Sequence, residues 1–294
     1  MKILVSGATG FIGQNLVAKL VDNGHDTYAI VRENSDTSDI HKDVKLYSYN
    51  GDLNTLIEFF KNEKFNGVIH LASHFLAAHN PNDISSLITS NMQFGTELLE
   101  ASKSSNVTWF INTGTFWQNY EDESYNPVNL YSATKEAFED IAKFYTQTSN
   151  LIFTTIKLND TFGPNDTRAK VFNLWTKIAQ SGERLSMSAG EQIIDISYID
   201  DVINAYEQLV NLLGENAIQH SSKTYVVTNQ ERVSLKELAK IFEKATDSKL
   251  DIDWGGRGYR DREVMSPYNL GEVVPGWEQQ YSLVEAIRKT VQEL

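Results

Sequence analysis

Gly7-Ala8-Thr9-Gly10-Phe11-Ile12-Gly13 joins a short β-rich run, Lys2–Ser6, to a stretch with apolar residues at helical spacing (Phe11, Ile12, Leu16, Leu20) that runs to Asn23. A glycine at the end of a strand permits a tight turn. A second lets backbone approach a pyrophosphate, and a third lets the following helix close against the sheet. The helix N-terminus then faces the phosphates with unpaired N–H groups and its positive dipole end. The spacing is GxxGxxG rather than GxGxxG, and alone it would describe a packing turn. Its place between a first strand and a first helix gives it weight. Gly7, Thr9, Gly10, Phe11, Ile12 and Gly13 are therefore expected to hold a dinucleotide.

Outward from this loop, strand-like and helix-like segments alternate. Strands are read at Thr27–Val31, Val44–Tyr47, Gly67–Ala72, Val107–Thr113 and Leu151–Leu158, and helices at Leu53–Lys61, Ile84–Ser102 and Leu130–Thr148. Such alternation implies βαβ units and a parallel sheet covered on both faces. After about residue 160 the rhythm breaks at Phe162-Gly163-Pro164-Asn165-Asp166, a loop signal. Helical patterns follow at Val171–Ser181 and Asp200–Leu213, and strands at Ile193–Ile199 and Tyr225–Thr228. A capping box at Ser234-Leu235-Lys236-Glu237 opens a helix to about Thr246, and a last short helix follows Tyr281. The expected fold is α/β: a Rossmann-type doubly wound parallel sheet with a smaller C-terminal α/β substrate lobe. Residues 1–160 would form the nucleotide domain, joined again by about 190–215, and 161–294 the smaller lobe.

The chain has 294 residues, enough for a well-buried core, and a formal net charge of −13. Acidic balance disfavours nucleic acid and anionic membrane as partners. Any anionic ligand must then be held by local donors. There is no cysteine, which excludes thiolate catalysis and Cys-ligated metals. The scattered histidines show no metal-ligand spacing, so no metal is expected. With an apolar, strand-like run beginning at Ile3, no signal peptide is expected, and no stretch reaches the ~20 apolar residues of a membrane span. The expected location is cytoplasmic.

The second strand ends Ile30-Val31-Arg32. Rossmann proteins that select NAD usually place a carboxylate there for the ribose 2′-hydroxyl. An arginine instead fits a 2′-phosphate through bidentate bonds, so NADP(H) is favoured, with NAD(H) the alternative; Glu33 is the counter-signal. Asp52, at the start of a helix with Leu53, is read as an acceptor from the adenine or as that helix's N-cap. Tyr131 and Lys135 are spaced i, i+4, on one helix face. An ammonium beside a phenol favours phenolate, lowering a pKa that is ~10 when unperturbed. Tyr131 is thereby a candidate proton donor or acceptor, and Lys135 a candidate for the nicotinamide ribose. Thr113 ends the preceding strand, at the carboxyl edge where such sheets bind ligands, and is placed to bond the same substrate oxygen.

Together these residues resemble the extended short-chain dehydrogenase/reductases, the group of nucleotide-sugar epimerases, dehydratases and reductases. The likeness continues through His70-Leu71-Ala72-Ser73, Asn91 with Gly95-Thr96, Phe162-Gly163-Pro164, Tyr198-Ile199-Asp200-Asp201-Val202 and Pro275-Gly276-Trp277, nearly the whole chain. The resemblance implies that Thr113, Tyr131 and Lys135 are catalytic. It also places Leu71, Ala72, Ser73, Asn91 and Leu158 beside the cofactor. A dehydratase of this group usually carries Asp-Glu after the catalytic threonine; here Gly114-Thr115 stands there, which discounts dehydration.

Two positions depart from the family's pattern: Ile194 stands where an arginine usually precedes Asp195, and Lys157 replaces a usual arginine. With the loops at 159–170 and 190–195, the chain resembles the branch that includes the CDP-abequose and CDP-paratose synthases. Those reduce the C4 ketone of a CDP-4-keto-3,6-dideoxyhexose during deoxysugar biosynthesis for surface polysaccharide such as lipopolysaccharide O-antigen. The implied activity is NADPH-dependent reduction of a nucleotide-linked 4-keto-6-deoxyhexose. The alternatives are an NAD-dependent nucleotide-sugar 4-epimerase and a non-catalytic NADP(H)-binding regulatory protein. Cations to replace the missing arginine are sought in Arg168, Lys170 and the loop of Arg257, Arg260 and Arg262, with Arg262 first. His74, Thr115, Phe116, Asn159, Asp160, Phe172 and Asn173 are further candidates for the sugar or base. By resemblance, the helices Ile84–Ser102 and Leu130–Thr148 would pair two copies into a homodimer.

Overall fold

The computed structural model describes residues 1–292. The chain opens with β1 (Lys2–Ser6), α1 (Phe11–Asp22), β2 (Asp26–Arg32), β3 (Lys45–Tyr49), α2 (Leu53–Glu63) and β4 (Gly67–His70). Helices α3 (Ile84–Ile88) and α4 (Phe94–Ser104) run on from one another through a π-helical turn, Thr89–Gln93. Then come β5 (Trp109–Thr115), α5 (Leu130–Thr148), β6 (Ile152–Leu158), β7 (Asp160–Phe162), α6 (Val171–Ser181) and β8 (Leu185–Met187). The last third holds β9 (Ile193–Ile194), β10 (Ile196–Tyr198), α7 (Ile199–Asn216), β11 (Thr224–Val226), β12 (Val233–Ser234), α8 (Leu235–Thr246), β13 (Ile252–Trp254), β14 (Glu272–Val273) and α9 (Leu283–Gln292).

Eight strands form one sheet in the order β14-β11-β6-β5-β4-β1-β2-β3, every pair parallel. The order reverses about β1, so the crevice between the carboxyl ends of β1 and β4 is the topological switch point where α/β sheets bind ligands. Strands covered on both faces read as continuous apolar runs, as Ile3-Leu4-Val5 and Val68-Ile69 do. On one face Leu16, Val17 and Leu20 of α1 pack with Val202, Tyr206 and Leu209 of α7. On the other, Leu56 and Phe60 of α2, Leu98 and Leu99 of α4, and Phe138 and Ala142 of α5 build a second core. The Rossmann architecture is thus present, and among the described residues no helix is long and apolar enough to cross a membrane.

Three details differ from the sequence pattern. Besides α7 from the 190–215 segment, which packs with α1 on the sheet, the large sheet takes its last strands from β11 and β14, further along the chain. The helix read at Ile84–Ser102 contains the π turn, which sets Asn91 inside, 1% exposed. The strand read at Ile193–Ile199 divides at Asp195. Its Oδ2 accepts bonds from Thr228 Oγ1 at 2.7 Å and Arg232 Nε at 2.8 Å, and its Oδ1 from the Asn229 amide at 3.0 Å. β9 therefore pairs antiparallel with β12 while β10 pairs parallel with β7. The smaller lobe centres on Phe172, Trp175 and Phe242, whose rings meet at 5.6–5.8 Å.

Candidate active site

A cavity of about 1260 Å³ opens at the carboxyl ends of the central strands and runs into the smaller lobe. A single small-molecule site is typically ~300–1,000 Å³. This one has room for two ligands end to end.

At its centre lies the glycine loop, and Gly7, Thr9, Gly10, Phe11, Ile12 and Gly13 all line the wall. Gly7 has φ +75°, and a Cβ there would sit 2.6 Å from the Ala72 amide nitrogen. A Cβ on Gly13 would collide with the Gly7 carbonyl, so only glycine lets α1 start this close to β1. Gly10 is the N-cap and supplies no side-chain acceptor, so the first-turn N–H groups face the cavity. Leu71, Ala72, Ser73 and Leu158 line the same region. Backbone donors, a helix dipole and a glycine cradle fit a dinucleotide pyrophosphate. Arg32 and Ser35 line the far end, and Arg32 continues into a neighbouring depression with Glu33, Asn34, Tyr49 and Asn50. Asp52 caps α2 instead, accepting from the Asn54 amide at 2.9 Å, and neither it nor Leu53 lines the cavity.

Thr113, Thr115 and Tyr131 line the same cavity. Tyr131 stands in the first turn of α5 because Asn129 caps that helix, accepting from the Ser132 amide at 3.0 Å. Asn129 also donates to the carbonyls of Leu76 and Ala77, both at 3.1 Å, tying the loop after β4 to the helix start. Asn91 ties the same loop from the other side, with Nδ2 donating to His74 O at 3.1 Å and to Thr134 Oγ1 at 2.9 Å. It lies behind the wall, not on it, while His74 lines the cavity. Phe75 meets Tyr131 edge-on at 5.1 Å and Trp117 at 5.6 Å, giving this wall an aromatic face.

Electrostatics here differ from the expectation of a lowered phenol pKa. Burial pushes Tyr131 up to about 12, opposed only by a hydrogen bond with the Ser73 hydroxyl. Lys135 is 1% exposed and lies behind the cavity surface. Burial brings it down to about 8, opposed by the Glu139 carboxylate one turn further on. The pair shares a helix face, as its spacing required, but desolvation dominates both groups. His70 is also fully buried, with Nδ1 2.7 Å from Ser6 Oγ, and burial brings it down to about 3, which keeps it neutral and structural. Among the described residues, no group of three or more His, Asp or Glu side chains is arranged to hold a metal.

The cations divide into two groups. Arg168 lines the cavity and lies over the Phe11 ring at 4.5 Å, but its guanidinium is already paired with Asp166 at 2.7 Å. Lys170 is held by Asp160 at 2.6 Å. Arg257, Arg260 and Arg262 line the cavity mouth and make no ion pair among the described residues. Arg262 stacks over Tyr120 at 4.4 Å and donates to Asn126 Oδ1, while Arg260 lies 6.0 Å from the Trp117 ring centre.

Asn159 and Asp160 line the cavity, whereas Phe116, Phe172 and Asn173 do not. Phe116 packs edge-on against Tyr268 and Phe172 against Phe162. Asn173 holds the loop before α6 through the carbonyls of Asp166 and Arg168. Sequence reading missed Asn129, Phe75 and Tyr206. The Asn129-x-x-Ser132 cap was legible in principle. Tyr206, whose hydroxyl lies 2.6 Å from Thr113 Oγ1, was not, because α7 is 93 residues away.

Residues 3–221 match the NAD dependent epimerase/dehydratase family. Over 291 residues the chain is 26% identical to a CDP-abequose synthase of Salmonella muenchen, covering 98% of this chain and 96% of that one. A CDP-abequose synthase of Yersinia pseudotuberculosis is 28% identical over 270 residues, 91% of this chain and 92% of the relative. In three dimensions the chain is similar to UDP-glucuronic acid 4-epimerase from Bacillus cereus, solved with UDP-glucuronic acid and NAD. The TM-score is 0.86 at 19% identity, over 100% of this chain and 98% of that one.

Proposed function

Because the chain belongs to the NAD dependent epimerase/dehydratase family, we propose that it reduces the C4 ketone of a nucleotide-linked 4-keto-6-deoxyhexose with NADPH. The observation that carries this reading is that Thr113 and Tyr131 line one cavity together with the glycine cradle, Arg32, and three arginines, Arg257, Arg260 and Arg262, that make no ion pair among the described residues. The two nearly full-length relatives named CDP-abequose synthase favour a CDP-linked 3,6-dideoxy ketone, and a role in making deoxysugars for surface polysaccharide. The Phe75–Trp117 face suits the deoxygenated carbons of such a sugar, which carry no hydroxyl to hydrogen-bond.

In this reading the ketone oxygen lies between Tyr131 and Thr113. Tyr131 stays protonated throughout the neutral range and donates its proton to the oxygen as it becomes alkoxide. Thr113 holds that oxygen in place with a second hydrogen bond. Reduced nicotinamide would supply the hydride to C4. Ser73 and the α1 N-terminus hold the cofactor, Arg32 takes its 2′-phosphate, and Lys135 acts through its charge from behind the wall. The enzyme works as a cytoplasmic homodimer. Arg257, Arg260 and Arg262 neutralise the sugar-nucleotide diphosphate in place of the arginine that Ile194 replaces. Charge-assisted bonds of this kind contribute ~1.5–3 kcal/mol. Arg262→Ala should accordingly raise KM for the nucleotide sugar about tenfold or more while leaving the affinity for NADPH unchanged. An unchanged KM would remove Arg262 from the diphosphate site.

The proposal is tested by following NADPH and NADH oxidation with CDP-, dTDP- and GDP-linked 4-keto-6-deoxyhexoses and the CDP-linked 3,6-dideoxy ketone. Stoichiometric NADPH consumption with one of them establishes the reductase and its nucleotide. No consumption, with nicotinamide nucleotide released when the purified protein is denatured, favours the second reading, a 4-epimerase that retains NAD. That reading is favoured by the fold shared with NAD-containing 4-epimerases.

A further inference from the structure

We propose that Tyr206 is a positioning residue that fixes the direction of the Thr113 hydroxyl, making Thr113 a one-way hydrogen-bond donor to the substrate oxygen. This inference rests on the reading of Thr113 and Tyr131 as the pair that holds a carbonyl or alkoxide oxygen.

Tyr206 lies on α7, in the core between that helix and the sheet, and is 0% exposed. It belongs to the apolar core that also holds Ile156, Leu158, Val202 and Leu209, and the Tyr131 phenol is near enough to act on it electrostatically without a hydrogen bond between them. Its hydroxyl lies 2.6 Å from Thr113 Oγ1, and among the described residues this is its only hydrogen-bond partner. Either oxygen is close enough to be the donor, and the surroundings decide which. If Thr113 donated, the Tyr206 proton would be left in an apolar core without an acceptor, at a cost of ~1–3 kcal/mol. If Tyr206 donates, its proton is satisfied and Thr113 uses one lone pair. The Thr113 proton is then free for the cavity, which Thr113 lines. Burial pushes the Tyr206 phenol well above its ordinary range, so it remains a donor at every working pH.

The consequence is a relay of fixed polarity: Tyr206 O–H to Thr113 O, and Thr113 O–H to the reacting oxygen. A donor whose own oxygen is already accepting is polarised and strengthened. A hydroxyl locked in this rotamer also loses no freedom when substrate arrives. Both effects act on developing negative charge at the substrate oxygen, in the transition state more than in the ground state.

The test uses Tyr206→Phe, which removes one oxygen at nearly constant volume, with Thr113→Val and the double variant. Tyr206→Phe should lower kcat about fivefold to tenfold with little change in KM for the sugar or in NADPH affinity. In the Thr113→Val background it should lower kcat no further. Equal losses in both backgrounds, or full kcat in Tyr206→Phe, would overturn the proposal. A second arm needs no substrate. Thr113→Val strands the buried Tyr206 proton and should lower Tm by roughly 2–6 °C, and adding Tyr206→Phe should restore most of that loss. If the double variant is no more stable than Thr113→Val, Tyr206 is not the donor. A Thr113→Val enzyme with normal turnover would instead sink the reading of Thr113 itself, while the unfolding arm still reports the hydrogen bond.

Discussion

Tyr131→Phe should lower kcat for ketone reduction by about 10²–10⁴-fold, the usual contribution of a positioned acid, while NADPH still binds. The change removes one hydroxyl from a side chain whose ring packs edge-on against Phe75 at 5.1 Å, so the wall keeps its shape. Cofactor affinity, read by quenching of intrinsic fluorescence, should stay near the parent value, because the glycine cradle and Arg32 are untouched. The parent's pH profile belongs to the same argument. Burial holds Tyr131 at about 12, so its donating form is fully populated from pH 6 to 9 and imposes no limb there. Lys135, brought down to about 8 by burial, loses its charge as pH rises through that value. A positive charge one helical turn away favours the phenolate left after proton donation. Reduction should therefore be flat below about pH 8 and fall above it. Retained activity in Tyr131→Phe ends the acid assignment; a profile level to pH 10 ends the role given to the Lys135 charge.

Much of this site could be read from the chain because local spacing encodes it. A glycine turn between strand and helix, an i, i+4 pair and a threonine at a strand end all involve residues close in sequence. The order of the first six strands follows from βα units whose successive strands neighbour one another or cross once from β3 to β4. What could not be read depends on contacts between distant segments. Tyr206 meets Thr113 only because α7 crosses behind β5. The π turn that draws Asn91 inward leaves the apolar periodicity of its helix nearly intact. Lys135 looked like a partner that acidifies Tyr131, since spacing reports shared faces but not depth. Lys135 is buried and Tyr131 half-buried in the cavity wall, and desolvation moves each toward its neutral form. Arg168 and Lys170 looked like free cations for the same reason: their partners Asp166 and Asp160 stand in the loop sequence, but pairing is a matter of geometry.

Arg232→Leu should destabilise the fold by about 3–5 kcal/mol, because it removes the countercharge of a carboxylate that has no access to water. The Asp195 side chain is 0% exposed and that of Arg232 21%, with Nη2 and Oδ2 2.7 Å apart. Thr228 and the Asn229 amide complete the set around the carboxylate, and Arg232 also reaches the Tyr268 carbonyl at 3.0 Å. Leucine would leave two hydrogen bonds to a buried anion and none of its charge balance. Asp195→Asn should be milder, because the amide is neutral and its oxygen still accepts from Thr228 or Asn229. Urea unfolding of both variants checks the order. Equal, small losses would show that water reaches Asp195 and that the pair contributes no more than a surface contact. The expected order has a bearing on the substrate. In the resembling family an arginine usually precedes this aspartate, while here Ile194 stands there and lines the cavity. Arg232 comes from the loop before β12 and is committed to Asp195 and to the Tyr268 carbonyl. It therefore fixes the segment that follows the basic loop, rather than serving as a diphosphate ligand itself. On the proposed reading, substrate charge is left to Arg257, Arg260 and Arg262, which line the cavity. Loss of Arg232 should raise KM for the nucleotide sugar as well as lower stability, whereas Arg262→Ala should raise KM alone.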